Sequence, residues 1–168
     1  LVPVPGRALA DLRVPKTIQP WLRQAQDLTV IPLAYPGTDG IGTSLQTPGD
    51  LARDVLQIDL NVISACAAAK VQRLITVGSV CSYPEHVRTF PTAESELFLG
   101  PPEAVNAPYG HAKRMQLALL DAYHRQSGLS YTALVLSNLY GPGDRSGHVI
   151  PATIRKVLRA KQEGAGEV

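Results

Sequence analysis

Tyr109 and Lys113 stand four residues apart in Tyr109-Gly110-His111-Ala112-Lys113. On a helix that spacing sets both side chains on one face, one turn apart. A phenol ordinarily titrates near pH ~10, and an ammonium within several ångströms favours phenolate and draws that value toward neutrality. Such a pair can hand a proton to an oxygen that receives hydride, or take one back in reverse. Two unrelated surface residues on a helix also give this spacing. Ser79 follows Gly78 at the end of an apolar run, where a hydroxyl can reach the same substrate oxygen or simply serve as a turn residue or cap. Cys81 lies two residues further on, where a thiol is open to chemistry, whereas Cys66 sits in Ala65-Cys66-Ala67-Ala68-Ala69 and reads as a buried, inert thiol.

These residues need elements to hold them, and the apolar patterning supplies candidates. Leu1-Val2-Pro3-Val4-Pro5-Gly6 reads as a strand end or edge, since its prolines remove ladder donors. A helical stretch is expected from about Pro15 to Gln26, with Pro15 suited to a first turn and Pro20 interrupting the pattern. Residues 28–34 read as a buried strand that runs into a turn-rich loop over 35–42. Leu51, Val55, Ile58, Val62 and Ala65 recur at steps of three and four, which predicts a long helix from Pro48 to Lys70. Residues 74–77 predict the next strand, 109–127 a helix, 131–136 a strand, and a last helix is expected from near Ile150 to Gly164. Strict alternation of strand and helix argues for a parallel sheet covered on both faces, which binds ligands beyond the carboxyl ends of its strands. Ser79, Cys81 and Tyr109 all fall at such ends or at helix starts.

The totals narrow the classes. The 168 residues match one domain, and 45% hydrophobic with 18% charged residues is globular rather than disordered composition. A formal charge of only +2, with Lys and Arg scattered singly, argues against nucleic-acid binding. No run approaches the ~18 apolar residues of a membrane span, and no signal-peptide pattern is seen. The two cysteines suggest neither a disulfide framework nor a metal site. A reducing, cytoplasmic setting is the expectation.

Strand, Gly-Ser, then about thirty residues later Tyr-x-x-x-Lys on a helix is the ordered constellation of the short-chain dehydrogenase/reductase superfamily. Flanking words sharpen the resemblance. Gly78-Ser79-Val80-Cys81-Ser82-Tyr83-Pro84 is similar to the Gly-Ser-Ser-Cys-Ile-Tyr-Pro motif of the GDP-L-fucose synthase family. The acidic stretch Ala93-Glu94-Ser95-Glu96-Leu97 before Asn106-Ala107-Pro108-Tyr109 resembles that family's approach to its catalytic Tyr. Ser137-Asn138-Leu139-Tyr140-Gly141-Pro142 and His148-Val149-Ile150-Pro151-Ala152 resemble two further signatures. The resemblance runs from about Leu1 to about Arg159, the central half of a family member. It implies a Rossmann-type doubly wound parallel sheet of α/β class, lacking its first βα unit and most of the C-terminal substrate lobe. The whole of 1–168 would then be one partial dinucleotide-binding domain, with 143–168 beginning the substrate lobe.

The family epimerises GDP-4-keto-6-deoxy-D-mannose at carbons 3 and 5 and then reduces the 4-keto group with NADPH. By position, the resemblance makes Cys81 the base that removes protons alpha to the ketone and His148 the acid on the opposite face. Tyr109, Lys113 and Ser79 would manage proton transfer during hydride delivery. A thiol and an imidazole suit the first task because their pKa values lie nearest neutrality. Cys81 could equally be a packed small hydrophobe, and His148 a helix-entry residue satisfying a backbone group. Cofactor contacts to NADP(H) would come from Asp11, Leu33, Ala34, Gly40, Tyr109, Lys113, Asn138 and His148. Ser79, Asn138 and Lys156 would contact the GDP-sugar, Lys156 standing where the family tends to carry Arg and losing its bidentate fork. A homodimer through the helices over 48–70 and 109–127 is the family's habit.

Departures go with the match. No Gly-x-x-Gly-x-x-Gly precedes the first strand, so a weakened hold on the cofactor's phosphates is expected. Val80 and Ser82 replace Ser and Ile, and Tyr35-Pro36 replaces an Ala-Lys-like pair. Two alternatives therefore stay open. One is another nucleotide-sugar epimerase or dehydratase, and the other a catalytically silent truncated remnant that binds a partner through an uncovered sheet edge.

Overall fold

The computed structural model describes residues 11–23, 27–36, 45–144 and 146–164. The expected strand over 1–6, Gly40 and the rest of the loop over 37–44 lie outside them. Seven regular elements are named in chain order: α1 (Gln19–Leu22), β1 (Thr29–Val30), α2 (Pro48–Ala69), β2 (Arg73–Ser79), α3 (Ala107–Ser127), β3 (Tyr131–Leu136) and α4 (Val149–Glu163). The three strands form a parallel sheet in the order β1-β2-β3. Thr29 pairs with Arg73, and Leu74 to Ser79 pair in step with Tyr131 to Leu136.

Register decides which side chains face the helices. Leu74 and Thr76 share a face with Tyr131 and Ala133, and that face carries the main core. Ile58, Val62, Ile63 and Cys66 of α2 and Leu120 of α3 pack on Leu74, with Tyr131 and Ala133 at the margin. Cys66 is fully buried, and burial pushes its thiol pKa up to about 12. It is the inert thiol its small neighbours suggested. The helices α2 and α3 lie side by side on this one face. On the other face Leu134 remains exposed among the described residues, so a second helical layer is not among them.

Two expected elements come out shorter. Of the helix foreseen over 15–26, residues 24–26 lie outside the described residues, and the rest is a 3-10 turn at Pro15–Thr17 followed by the single turn of α1, whose second residue is Pro20. Proline lacks the N–H that a helix interior needs, so it sits in a first turn instead. The strand foreseen over 28–34 is paired only at Thr29 and Val30. Pro32 offers no donor to a ladder, and beyond it Leu33 is 74% exposed.

The long helices are terminated as their sequences direct. In α2, Pro48 opens the first turn, Asp50 complements the N-terminal dipole, and Lys70 ends it in the left-handed region at φ 53°. In α3, Gly128 takes the left-handed cap after His124 and Arg125, and in α4 Gly164 does the same. The segment before α1 is tied to α2 by two contacts: Arg13 bridges Asp11 and Asp54, and Asn61 donates to the Leu12 carbonyl.

Candidate active site

The carboxyl end of β2 and the start of α3 meet around Cys81. Ser79 is the last residue of β2, and its hydroxyl accepts a hydrogen bond from the Cys81 N–H at 3.2 Å, capping the 3-10 turn Val80–Ser82. Gly110 lets the first turn of α3 press onto this turn: a Cβ there would lie 2.2 Å from the Cys81 carbonyl oxygen. Arg114, one helical turn later, donates from Nε to the Ser82 carbonyl at 2.7 Å. The thiol-bearing turn is thus held from both sides. Cys81 itself is half-buried and opens onto a surface recess lined by Val80, Tyr83, Pro84, Glu85 and Glu103.

Tyr109 is the third residue of α3, and Lys113 follows on the same face. The expectation for their electrostatics is corrected here. Burial, the largest influence, pushes the Tyr109 phenol above its ordinary value, and a hydrogen bond with Ser79 only partly offsets the rise. Lys113 does not lower it, because its ammonium is engaged elsewhere. Nζ donates to the Val77 carbonyl at 3.1 Å, lies 3.5 Å from Asp59 Oδ2 and rests 3.4 Å from the centre of the Tyr35 ring. Burial lowers the Lys113 pKa to about 8, against the pull of Asp59. At neutral pH Tyr109 is therefore a protonated phenol and Lys113 still a cation. A phenol that keeps its proton can serve as an acid toward a carbonyl oxygen gaining negative charge.

The remaining expected residues stand around this centre. Leu33 and Ala34 are exposed beyond the carboxyl end of β1, and Asn138 is exposed just past β3. His148 is the residue before α4, its N–H bonded to Ser146 Oγ at 3.4 Å, and Lys156 is exposed on α4. Asp11 is occupied by Arg13, accepting from its backbone N–H, its Nε and its Nη2. The structure brings Ser79, Cys81 and Tyr109 together with Lys113 behind them, while Asn138 follows β3 and His148 and Lys156 lie at the start and on the exposed side of α4, outside that group. Gly40 lies outside the described residues.

The residues at the strand ends suit a nicotinamide cofactor in part. Leu33 and Ala34 offer exposed apolar surface at the carboxyl edge, and Tyr109 offers a phenol, while the Lys113 ammonium lies buried behind it. Among the described residues no group of His, Cys, Asp and Glu is placed to hold a metal ion, and no helix is long and apolar enough to cross a membrane.

Several structural residues carried no signal by themselves. Asp59 and Gln116 are buried polar groups on the apolar faces of α2 and α3. A charge inside the stripe of Val55, Ile58 and Val62 was the available hint. Glu96, in the acidic stretch before Tyr109, is also buried, accepting from the Arg88 N–H and the Thr89 hydroxyl. It fastens its own loop.

Comparison with known proteins gives the family and the fold. The family described as NAD dependent epimerase/dehydratase matches residues 7–167. The GDP-L-fucose synthase of Escherichia coli (strain K12) is 36% identical over 140 residues, covering 81% of this chain and 43% of that protein. A crystal structure of a GDP-L-fucose synthetase from Naegleria fowleri bound to NADP superposes with a TM-score of 0.81 at 26% identity, over 95% of this chain and 50% of that one. A GDP-D-glycero-L-gluco-heptose synthase from Campylobacter jejuni, crystallised in the presence of NADPH, gives 0.83 at 28% identity, over 95% of this chain and 48% of that one. The chain spans about half the length of the curated relatives it matches.

Proposed function

This chain belongs to the NAD dependent epimerase/dehydratase family, and from that premise we propose that it carries the catalytic centre of an NADPH-dependent epimerase and reductase. Its substrate would be a GDP-4-keto-6-deoxy sugar and its product GDP-L-fucose or a related nucleotide sugar. The observation that carries this reading is the packing of a capped Cys81 turn against the helix start that bears Tyr109 and Lys113. Similarity to GDP-L-fucose synthases and to a GDP-heptose synthase supports the substrate class.

In the proposed reduction the bound cofactor supplies hydride to the keto carbon. Tyr109 donates its phenolic proton to the carbonyl oxygen, which the Ser79 hydroxyl orients. Lys113 holds positive charge behind them and binds sugar hydroxyls of the cofactor. In the proposed epimerisation Cys81 removes a proton alpha to the ketone, and His148 returns one on the opposite face. The ketone makes this feasible by delocalising the carbanion onto oxygen. Asn138 and Lys156 would contact substrate, Leu33 and Ala34 the cofactor. A homodimer in a cytoplasmic setting completes the proposal, with exposed Leu56, Leu60 and Met115 on the outer faces of α2 and α3 as its support.

Two variants assayed in deuterated water with NADPH and GDP-4-keto-6-deoxy-D-mannose test the division of labour. Tyr109→Phe should cut ketone reduction on the order of a hundred- to ten-thousand-fold while sparing deuterium incorporation at carbons 3 and 5. Cys81→Ser should slow incorporation first. Equal loss of both activities in both variants would refute the assignment. The GDP-heptose synthase similarity favours one second reading, a C4 reductase for another GDP-sugar, which turnover of GDP-4-keto heptoses would reveal.

A further inference from the structure

We propose that Tyr35, Asp59 and Gln116 form a buried positioning cluster for Lys113 that ties the proposed catalytic amine to the loop following β1. The inference rests on the reading of Lys113 given above. Asp59 Oδ1 accepts from the Tyr35 hydroxyl at 2.5 Å and from Gln116 Nε2 at 2.6 Å, and Gln116 Nε2 also lies 3.0 Å from the Tyr35 oxygen. The other carboxylate oxygen, Oδ2, faces Lys113 Nζ at 3.5 Å. Three segments distant in sequence thereby meet on one carboxylate. Tyr35 comes from the loop after β1, Asp59 from α2, and Gln116 and Lys113 from α3.

Two features make this more than a satisfied core polar group. First, the Tyr35 ring covers the ammonium at 3.4 Å, and its packing touches both hydrophobic clusters, one around Leu74 and one around Val55. Tyr35 thus fixes Lys113 from above while clamping its counterion. Second, the pairing is incomplete. Asp59 Oδ2 and Gln116 Oε1 are buried without a hydrogen-bond donor. The ammonium is therefore held 3.5 Å from Asp59 Oδ2 while it donates to the Val77 carbonyl. Because Leu33 and Ala34 immediately precede Tyr35, a ligand that moves this loop also moves the clamp.

The titratable groups that face Lys113 are Asp59 from α2, Tyr35 from the β1 loop and, more distantly through Asp59, Tyr109 on its own helix. Val77 of β2 contributes only its carbonyl. Asp59 is thus the one carboxylate among the described residues paired with this amine. Burial pushes the Asp59 carboxyl up, while Lys113, Tyr35 and Gln116 pull it down. Losing either hydrogen-bond donor weakens the carboxylate as a counterion, and losing the carboxylate lets burial act on Lys113 unopposed.

The test is an NMR titration of the full 168-residue chain carrying 13C-labelled lysine, with the Lys113 resonance identified by its loss in Lys113→Arg. The expected wild-type midpoint is about 8. Asp59→Asn should lower it by about one unit or more, Tyr35→Phe should lower it by less, and Asp59→Glu should restore it. Tyr35→Phe retains the ring and its packing, so it remains informative if Asp59→Asn does not fold. Midpoints unchanged in folded Asp59→Asn and Tyr35→Phe would overturn the cluster. A chain that shows these shifts but neither binds NADPH nor reduces the keto sugar would refute the proposed function and leave the cluster standing.

Discussion

Lys113 keeps its charge against burial because Asp59 stands opposite as its counterion. With its pKa lowered to about 8, the amine is cationic below that pH and neutral above it. If the cation is needed for reduction, the rate should hold through neutrality and fall as pH rises through about 8, and a pH profile of single-turnover reduction checks this. Tyr109 works in the same direction, since its raised pKa keeps the phenol protonated throughout. Its spacing from Lys113 was legible, but its electrostatics were not. An ammonium one turn away suggests a depressed phenol, whereas the fold spends that charge on Asp59, Tyr35 and the Val77 carbonyl. Sequence order places Asp59 far from Lys113, and only the packing of α2 on α3 joins them. Ser79 met its structural reading, since it caps the Cys81 turn, and it also hydrogen-bonds the Tyr109 hydroxyl.

The elements earn their boundaries from a few residues whose removal has foreseeable effects. Lys70 ends α2 in a left-handed conformation that L side chains resist. Lys70→Gly should therefore stabilise the fold by about 0.5–1 kcal/mol, read as a rise in urea midpoint. Gly110→Ala should have the opposite sign, because its Cβ would strike the Cys81 carbonyl oxygen, a backbone atom with little freedom to retreat. A loss of about 1–3 kcal/mol is expected in the same denaturation experiment. Leu74 is fully buried at the centre of the core, and Leu74→Ala should cost about 2–5 kcal/mol. Strong periodicity made α2, α3, β2, β3 and α4 readable to within a few residues. The strand over 28–34 reads too long, since its apolar composition outvotes Pro32, whereas the interruption at Pro20 is legible and the described part of 15–26 is split just before it.

At the scale of the molecule, alternating strands and helices announced the parallel sheet, and the words around Ser79, Tyr109 and His148 announced the family that matches residues 7–167. The arrangement of layers was less legible, because α2 and α3 pack beside each other on one face while the Leu134 side of the sheet stays open among the described residues. Alternation alone does not say on which face each crossover falls. The central claim is that this chain's carboxyl edge works with a nicotinamide cofactor. A titration with NADPH, followed by nicotinamide fluorescence in the wild type and in Lys113→Met, tests it most directly. A saturable signal in the wild type that weakens markedly in Lys113→Met is the expected result. Absence of saturable binding by the wild-type chain, or binding that Lys113→Met leaves unchanged, would contradict it.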